Sequence, residues 1–216
     1  MKRLLTIVVL LLAGCGGSST VIRPPLNLAA IGDSISAGWL DPAAANVAGN
    51  AAIAALFHAD AANSFVGVAG KLAGANSVTD LGIGGTTAAQ MTSRVIPHLP
   101  PATSVVIVEA GTNDVMSAAP QTADLDALMA AVRAKVPRAK VVLITLRHFA
   151  RYPSTDADVV AWNAHIRSLA PSFGATVVDL ENDPQWYRSW EWPDSLHPNL
   201  AGAAHLGAAV AAAVLR

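Results

Sequence analysis

The 216-residue chain contains a single cysteine, Cys15, so no intramolecular disulfide can staple it. Charged residues make up only 13% of it, the formal net charge is −1, and no basic stripe is present. Nucleic acid is therefore not an expected partner. The apolar run at the N-terminus, Leu4–Ala13, has ten residues, too few to span a bilayer as a stable helix. There is no internal repeat and no sign of a second domain. What the chain has in quantity is apolar surface: 53% of its residues are hydrophobic, with alanine prominent. That is the composition of a compact globular protein rather than of a disordered one.

Lys2 and Arg3 precede the ten-residue run, and the three features together read as a secretory signal. Leu12-Ala13-Gly14-Cys15 resembles the lipobox of bacterial lipoproteins, in which the cysteine is lipidated and becomes the new N-terminus. An unmodified lone thiol would be a liability in an oxidising compartment. Gly16, Gly17, Ser18, Ser19 and Thr20 are small and suit a flexible tether. The expected division is a signal peptide over 1–14, the lipidated Cys15 and tether over 15–25, and one domain over 26–216. Loss of Lys2 and Arg3 with the signal takes the net charge from −1 to −3. The lipobox resemblance implies a membrane anchor through Cys15 and a place in the bacterial cell envelope. In a Gram-negative host this means the periplasmic face, with Gly16 in place of Asp favouring the outer membrane.

Five apolar runs recur along the remainder: Leu26–Ile31, Val78–Leu81, Ser104–Glu109, Lys140–Leu146 and Ala175–Leu180. Most are rich in Val, Ile and Leu with little alternation, as in strands covered on both faces of a parallel sheet. Between them lie helical patterns. Ser64–Leu72 puts Phe65, Val68 and Leu72 on one stripe, and Thr87–Ile96 follows a glycine-rich turn. Thr122–Val136 carries Leu125, Leu128, Met129 and Val132 and ends at Pro137. Thr155-x-x-Asp158 has the form of a capping box for a helix reaching about Leu169, and Asn199 can cap the last helix. The alternation predicts an α/β fold: a three-layer α/β/α sandwich on a five-stranded parallel sheet. Two connections are long. Gly38–Asn63 contains Trp39 and an alanine-rich piece, Ala51–Phe57, suited to a short extra helix; Glu181–Asp194 holds Trp186, Trp190 and Trp192.

In an open parallel sheet, ligands bind beyond the carboxyl ends of the strands. Four motifs arrive at that edge: Gly32-Asp33-Ser34, Ile83-Gly84-Gly85-Thr86, Gly111-Thr112-Asn113-Asp114, and Asp194-Ser195-Leu196-His197-Pro198. A hydroxyl straight after an apolar strand, and a carboxylate three residues before an imidazole, are the parts that acyl transfer requires. In that order and spacing the set resembles the SGNH hydrolases, also called the GDSL esterase/lipase family, over residues 26 to 216. Ile35 stands where that family usually has Leu, and Asp80 where its second block usually begins with Asn. The resemblance implies a flavodoxin-like topology and an ester hydrolase. Ser34 is then the nucleophile, His197 the general base, and Asp194 the group that orients His197. The Ser34 and Gly85 backbone N–H groups and the Asn113 amide form the oxyanion hole. In this reading Gly85 has no Cβ so that its backbone can approach the oxyanion. Structural roles are implied for Asp33 and Asp114.

The resemblance implies no metal and no organic cofactor; His58, His98, His165 and His205 have no ligand-like partners at metal spacing. A G-x-S-x-G elbow is missing around Ser34, and Gly82–Gly85 has no Walker lysine. His148, just after the fourth strand, suits surface or pocket lining, and Trp162 suits the core. The cluster of Trp186, Tyr187, Trp190 and Trp192 either covers the end of the sheet or forms an aromatic wall for an acyl chain or sugar ring. Trp39 is a further lining candidate. The expected function is an extracytoplasmic serine esterase acting as a monomer on a small-molecule ester, a lipid ester or thioester, or an acylated glycan. The alternative is a non-catalytic lipoprotein that binds a glycan or lipid in the same cleft.

Overall fold

A computed structural model describes residues 24–38, 62–117, 120–186, 190–191 and 195–216. Cys15, Trp39, the Ala51–Phe57 piece, His58, Tyr187, Trp192 and Asp194 lie outside the described residues. The described elements are β1 (Asn27–Ile31), α1 (Phe65–Ala73), β2 (Ser77–Asp80), α2 (Ala88–Arg94), β3 (Val105–Glu109) and α3 (Thr112–Met116). There follow α4 (Thr122–Lys135), β4 (Lys140–Ile144), α5 (Asp156–Leu169), β5 (Thr176–Val178) and α6 (Leu200–Leu215). All pairings are parallel and the strand order is β2-β1-β3-β4-β5, the flavodoxin-like order with its switch point between β1 and β3.

The runs without alternation belong to the central strands. Ala29 and Ile31 of β1 point into one core with Val106, Val108, Val141 and Leu143, beneath α2, α4 and α5. Leu28 and Ala30 point the other way, joining Ile107, Val142 and Ile144 beneath α1 and α6. Both faces are buried, so both sets of alternating positions are apolar. The outer strands are less covered: Ser77 and Val78 of β2 are exposed. The alanine-rich α6 packs closely on α1. A Cβ on Gly207 would lie 2.6 Å from Val68 Cβ.

Two local expectations change. The core stripe of α1 is Phe65, Val66 and Ala69; Val68 faces α6 at the half-buried flank, and Leu72 is exposed. The capping box at Thr155 does not form. Pro153–Thr155 is a 3-10 turn, and Thr155 Oγ1 donates to the Tyr152 carbonyl at 2.7 Å instead of accepting from the helix. Asn199 does cap α6, its Oδ1 accepting from Ala201 and Gly202 N–H at 3.0 and 3.2 Å. Among the described residues, no helix is long and apolar enough to cross a membrane.

Candidate active site

β1 ends at the switch point, and the chain turns at once. Asp33 Oδ1 accepts the Ile35 N–H at 2.9 Å, and Ala37 N–H closes the turn onto the Asp33 carbonyl at 3.0 Å. Gly32 is required beneath this turn, since a Cβ there would sit 2.0 Å from Ser36 Oγ. The loop after β2 runs just as close: a Cβ on Gly82 would lie 2.4 Å from the Ala37 backbone nitrogen. Ser34 is thus held at the carboxyl edge by backbone on both sides.

His197 arrives at the same point from 163 residues away. Its Nε2 lies 2.8 Å from Ser34 Oγ. The imidazole is 1% exposed and Ser34 6%, so their hydrogen bond is shielded from bulk water. Two of the three groups predicted for acyl transfer therefore meet; the third, Asp194, lies outside the described residues. The loop reaches this position through Ser195, whose φ of 56° is the left-handed conformation rarely taken by a residue with a side chain.

Asn113, near the start of α3, is brought to the site by two donor bonds from Nδ2, to Asp33 Oδ2 at 3.0 Å and to the Thr86 carbonyl at 3.1 Å. An oxyanion at this amide has to share or displace one of them. Gly85 adopts φ 75°, and a Cβ added there would meet nothing within 4 Å. That positive φ favours glycine at this position. Asp114 braces the neighbouring block, both its oxygens accepting the Ala88 N–H that opens α2. Trp162 is fully buried and donates from Nε1 to the Ala110 carbonyl at 3.0 Å, packing against Gly111.

Beneath the nucleophile sits a pair of buried acids that the motifs do not announce. Glu109, the last residue of β3, is 3% exposed, and Asp33 is completely buried. Glu109 Oε2 accepts the Asp33 N–H at 3.3 Å and the Ser36 hydroxyl at 3.1 Å. Burial, then the charge of Glu109, lifts the Asp33 carboxyl well above the ordinary carboxylate range; burial also raises Glu109. Two carboxyl groups in one dry site cannot both ionise freely. Together the two acids anchor the turn carrying Ser34 and, through Asp33 Oδ2, the Asn113 amide. A charged residue closing the otherwise apolar strand Val105–Glu109 is the signal that points to it.

Arg147 was also missed. Sequence reasoning singles out its neighbour His148, but that side chain is 44% exposed and pairs with Asp156 at 2.9 Å and Glu181 at 3.6 Å. Arg147 is 7% exposed and points inward. Trp186 and Trp190 meet edge to face at 6.0 Å, and both pack on His205. Trp186 is half-buried against the core that holds Ile144, Val178 and Leu180. A cavity of about 20 Å³ behind the site is lined by Ile35, Thr112, Arg147, Trp186 and Pro198 among others. It has room for a water molecule. Among the described residues, no group of three or more His, Cys, Asp or Glu side chains is placed to hold a metal ion.

The model of the GDSL-like lipase/acylhydrolase family matches residues 30–205 of the chain. Among solved structures, the chain is similar to phospholipase A1 from Streptomyces albidoflavus NA297, with 18% identity, a TM-score of 0.67, and coverage of 88% of this chain and 100% of that one. It is similar to the psychrotrophic esterase EstA from Pseudoalteromonas sp., solved inhibited by monoethylphosphonate (16% identity, TM-score 0.63, 88% and 96% covered). A third is Est24, a carbohydrate acetylesterase from Sinorhizobium meliloti (14% identity, TM-score 0.64, 88% and 98% covered). Comparison with curated proteins finds no sequence match.

Asp80, at the end of β2, generates a prediction. Burial, reinforced by the charge of Glu109, raises its carboxyl from the ordinary 3.8 to about 7, against the hydrogen bond it accepts from Gly82 N–H. The unfolded chain releases this proton at lower pH than the folded one, so stability falls as pH rises from 3.8 to about 7. Asp80→Asn keeps the Oδ1 acceptor and removes the charge. It is expected to raise Tm at pH 8 by ~2–4 °C, the shift given by ~1 kcal/mol in a domain of this size, with a smaller gain at pH 5. A variant no more stable than the native protein at pH 8 contradicts this.

Proposed function

The chain belongs to the GDSL-like lipase/acylhydrolase family, a family of ester-hydrolysing enzymes, and on that premise we propose that it is a serine esterase working through an acyl-enzyme. The observation that carries this reading is the 2.8 Å contact between Ser34 Oγ and His197 Nε2 in a buried setting. A serine hydroxyl is a poor nucleophile until a base takes its proton, and His197 is within reach to do so. Ser34 Oγ attacks the ester carbonyl carbon while its proton passes to Nε2. The imidazolium then protonates the leaving alcohol. In the second half, water gives a proton to His197 and attacks the acyl-serine; as the acyl–oxygen bond breaks, the imidazolium returns that proton to Ser34 Oγ and the acid is released. Asp194 is assigned the task of holding the His197 Nδ1 proton. The Asn113 amide and the Ser34 and Gly85 N–H groups are assigned to the charge developing on the carbonyl oxygen.

The substrate is a carboxylic ester of one of two kinds, a lipid acyl ester or an acetyl group on carbohydrate. A phospholipase A1 and a carbohydrate acetylesterase match the fold comparably, at TM-scores of 0.67 and 0.64, so fold alone favours neither. Chain-length preference on p-nitrophenyl esters, measured beside acetylated glycans, separates the two. The proposed location is the outside of the bacterial inner membrane or the outer membrane, held there by lipid on Cys15. The lipobox-like Leu12–Cys15 and the small-residue tether behind it support that location.

Two outcomes are expected. A fluorophosphonate probe labels the native protein and not Ser34→Ala, while Asn113→Ala keeps its KM and loses ~10²–10³ in kcat, the usual effect of one oxyanion donor. Labelling that survives in Ser34→Ala removes the proposed nucleophile. In the full-length protein expressed in a bacterium, Cys15→Ser moves the enzyme from the membrane fraction to the soluble one; unchanged partition contradicts the anchor.

A further inference from the structure

The loop that delivers His197 is under strain and needs outside support. Ser195 is held at φ 56°, a conformation that persists in a residue with a side chain only where the surroundings over-determine it. Part of the support is backbone: Glu191 and Pro198 form an isolated antiparallel bridge, and Asn199 N–H donates to the Trp190 carbonyl at 2.7 Å. The rest is the Arg147 guanidinium. Its Nη2 donates to the carbonyl of Leu196, the residue before His197, at 2.5 Å. Its Nη1 lies 2.5 Å from Glu191 Oε1, with both side chains less than a tenth exposed. The guanidinium also lies 5.2 Å from the centre of the Trp186 ring, and Trp186 Nε1 donates to the same Glu191 oxygen at 2.9 Å.

The base of this strut is fixed as well. Arg147 directly follows Leu146, whose backbone N–H and carbonyl are both bonded at 2.7 Å to the side chain of the buried Asn163 on α5. The load path therefore runs from α5 to the end of β4, through the guanidinium, to both sides of the strained turn. A planar fork offers its donors to two such acceptors in fixed directions; an ammonium is a compact point charge without that fixed geometry.

Resting on the esterase reading, we propose that Arg147 is a positioning residue for the reaction: by clamping Leu196 and Glu191 together it sets His197 Nε2 against Ser34 Oγ. It acts through Leu196 and Glu191 rather than on the reacting atoms. A misplacement of about 1 Å in a catalytic group can cost ~10²-fold in rate without changing what the site binds.

The test compares the native protein with Arg147→Met, Arg147→Lys and Ser34→Ala below their melting temperatures. The readouts are kcat and KM on p-nitrophenyl acetate and the rate of Ser34 inactivation by a fluorophosphonate. The expected result for Arg147→Met is a fall of ~10–100-fold in kcat and in inactivation rate, with KM little changed. Arg147→Lys, which keeps the stem and charge and so guards against a misfolded Met variant, recovers part of the rate and stays several-fold below native. A folded Arg147→Met or Arg147→Lys with native kcat and inactivation rate overturns the proposal. So does a loss confined to KM. If the native protein is inactive, or if Ser34→Ala retains activity, it is the esterase reading that fails; Ser34-dependent activity that is indifferent to Arg147 sinks the clamp alone.

Discussion

The structure depends on one hydrogen bond between groups 163 residues apart, Ser34 Oγ to His197 Nε2. Neither group can be placed by its own segment. Ser34 needs β1 to stand beside β3 at the switch point, so that the chain emerging from Ile31 has an open edge to turn into. His197 needs the chain to cross the end of the sheet after β5 and then drop into α6 on the opposite side. The parallel sheet brings these two requirements to one place, and its doubly covered central strands make that place rigid.

Rigidity here comes from buried polar groups as well as from packing. Asp33 and Glu109 anchor the nucleophile's turn from below, and Arg147 and Glu191 stand beside the histidine's loop. Buried ion pairs and shared protons add little net stability, because desolvation consumes most of the attraction. What they do supply is geometry: their hydrogen bonds tie the turns to fixed partners, and a slip leaves a charge less well paired in a dry interior. The apolar layers on both faces of β1, β3 and β4 supply the stability that tolerates such groups.

Much of this was legible in the residues. The Val- and Ile-rich runs read as doubly covered strands because their two alternating sets enter two different cores. The meeting of Ser34 with His197 was readable because both residues lie in compact, ordered motifs; the bond from the Asn113 amide to Asp33 was not. Glu109 and Arg147 were not, since their importance lies in what other strands and loops place opposite them. The capping box at Thr155 failed for a similar reason: Pro153 tightens the preceding turn and redirects the hydroxyl. At Gly85 the structure adds a backbone reason for glycine, a φ of 75°, that the motif does not announce.

The most direct measurement of the central claim is the rate at which Ser34 is phosphonylated, followed against pH in the native protein and in His197→Ala. If His197 is the base, the native rate falls on acidification as the imidazole takes up a proton, and the folded His197→Ala protein reacts ~10³-fold or more slowly at every pH. A folded His197→Ala protein that is phosphonylated at the native rate would contradict the account.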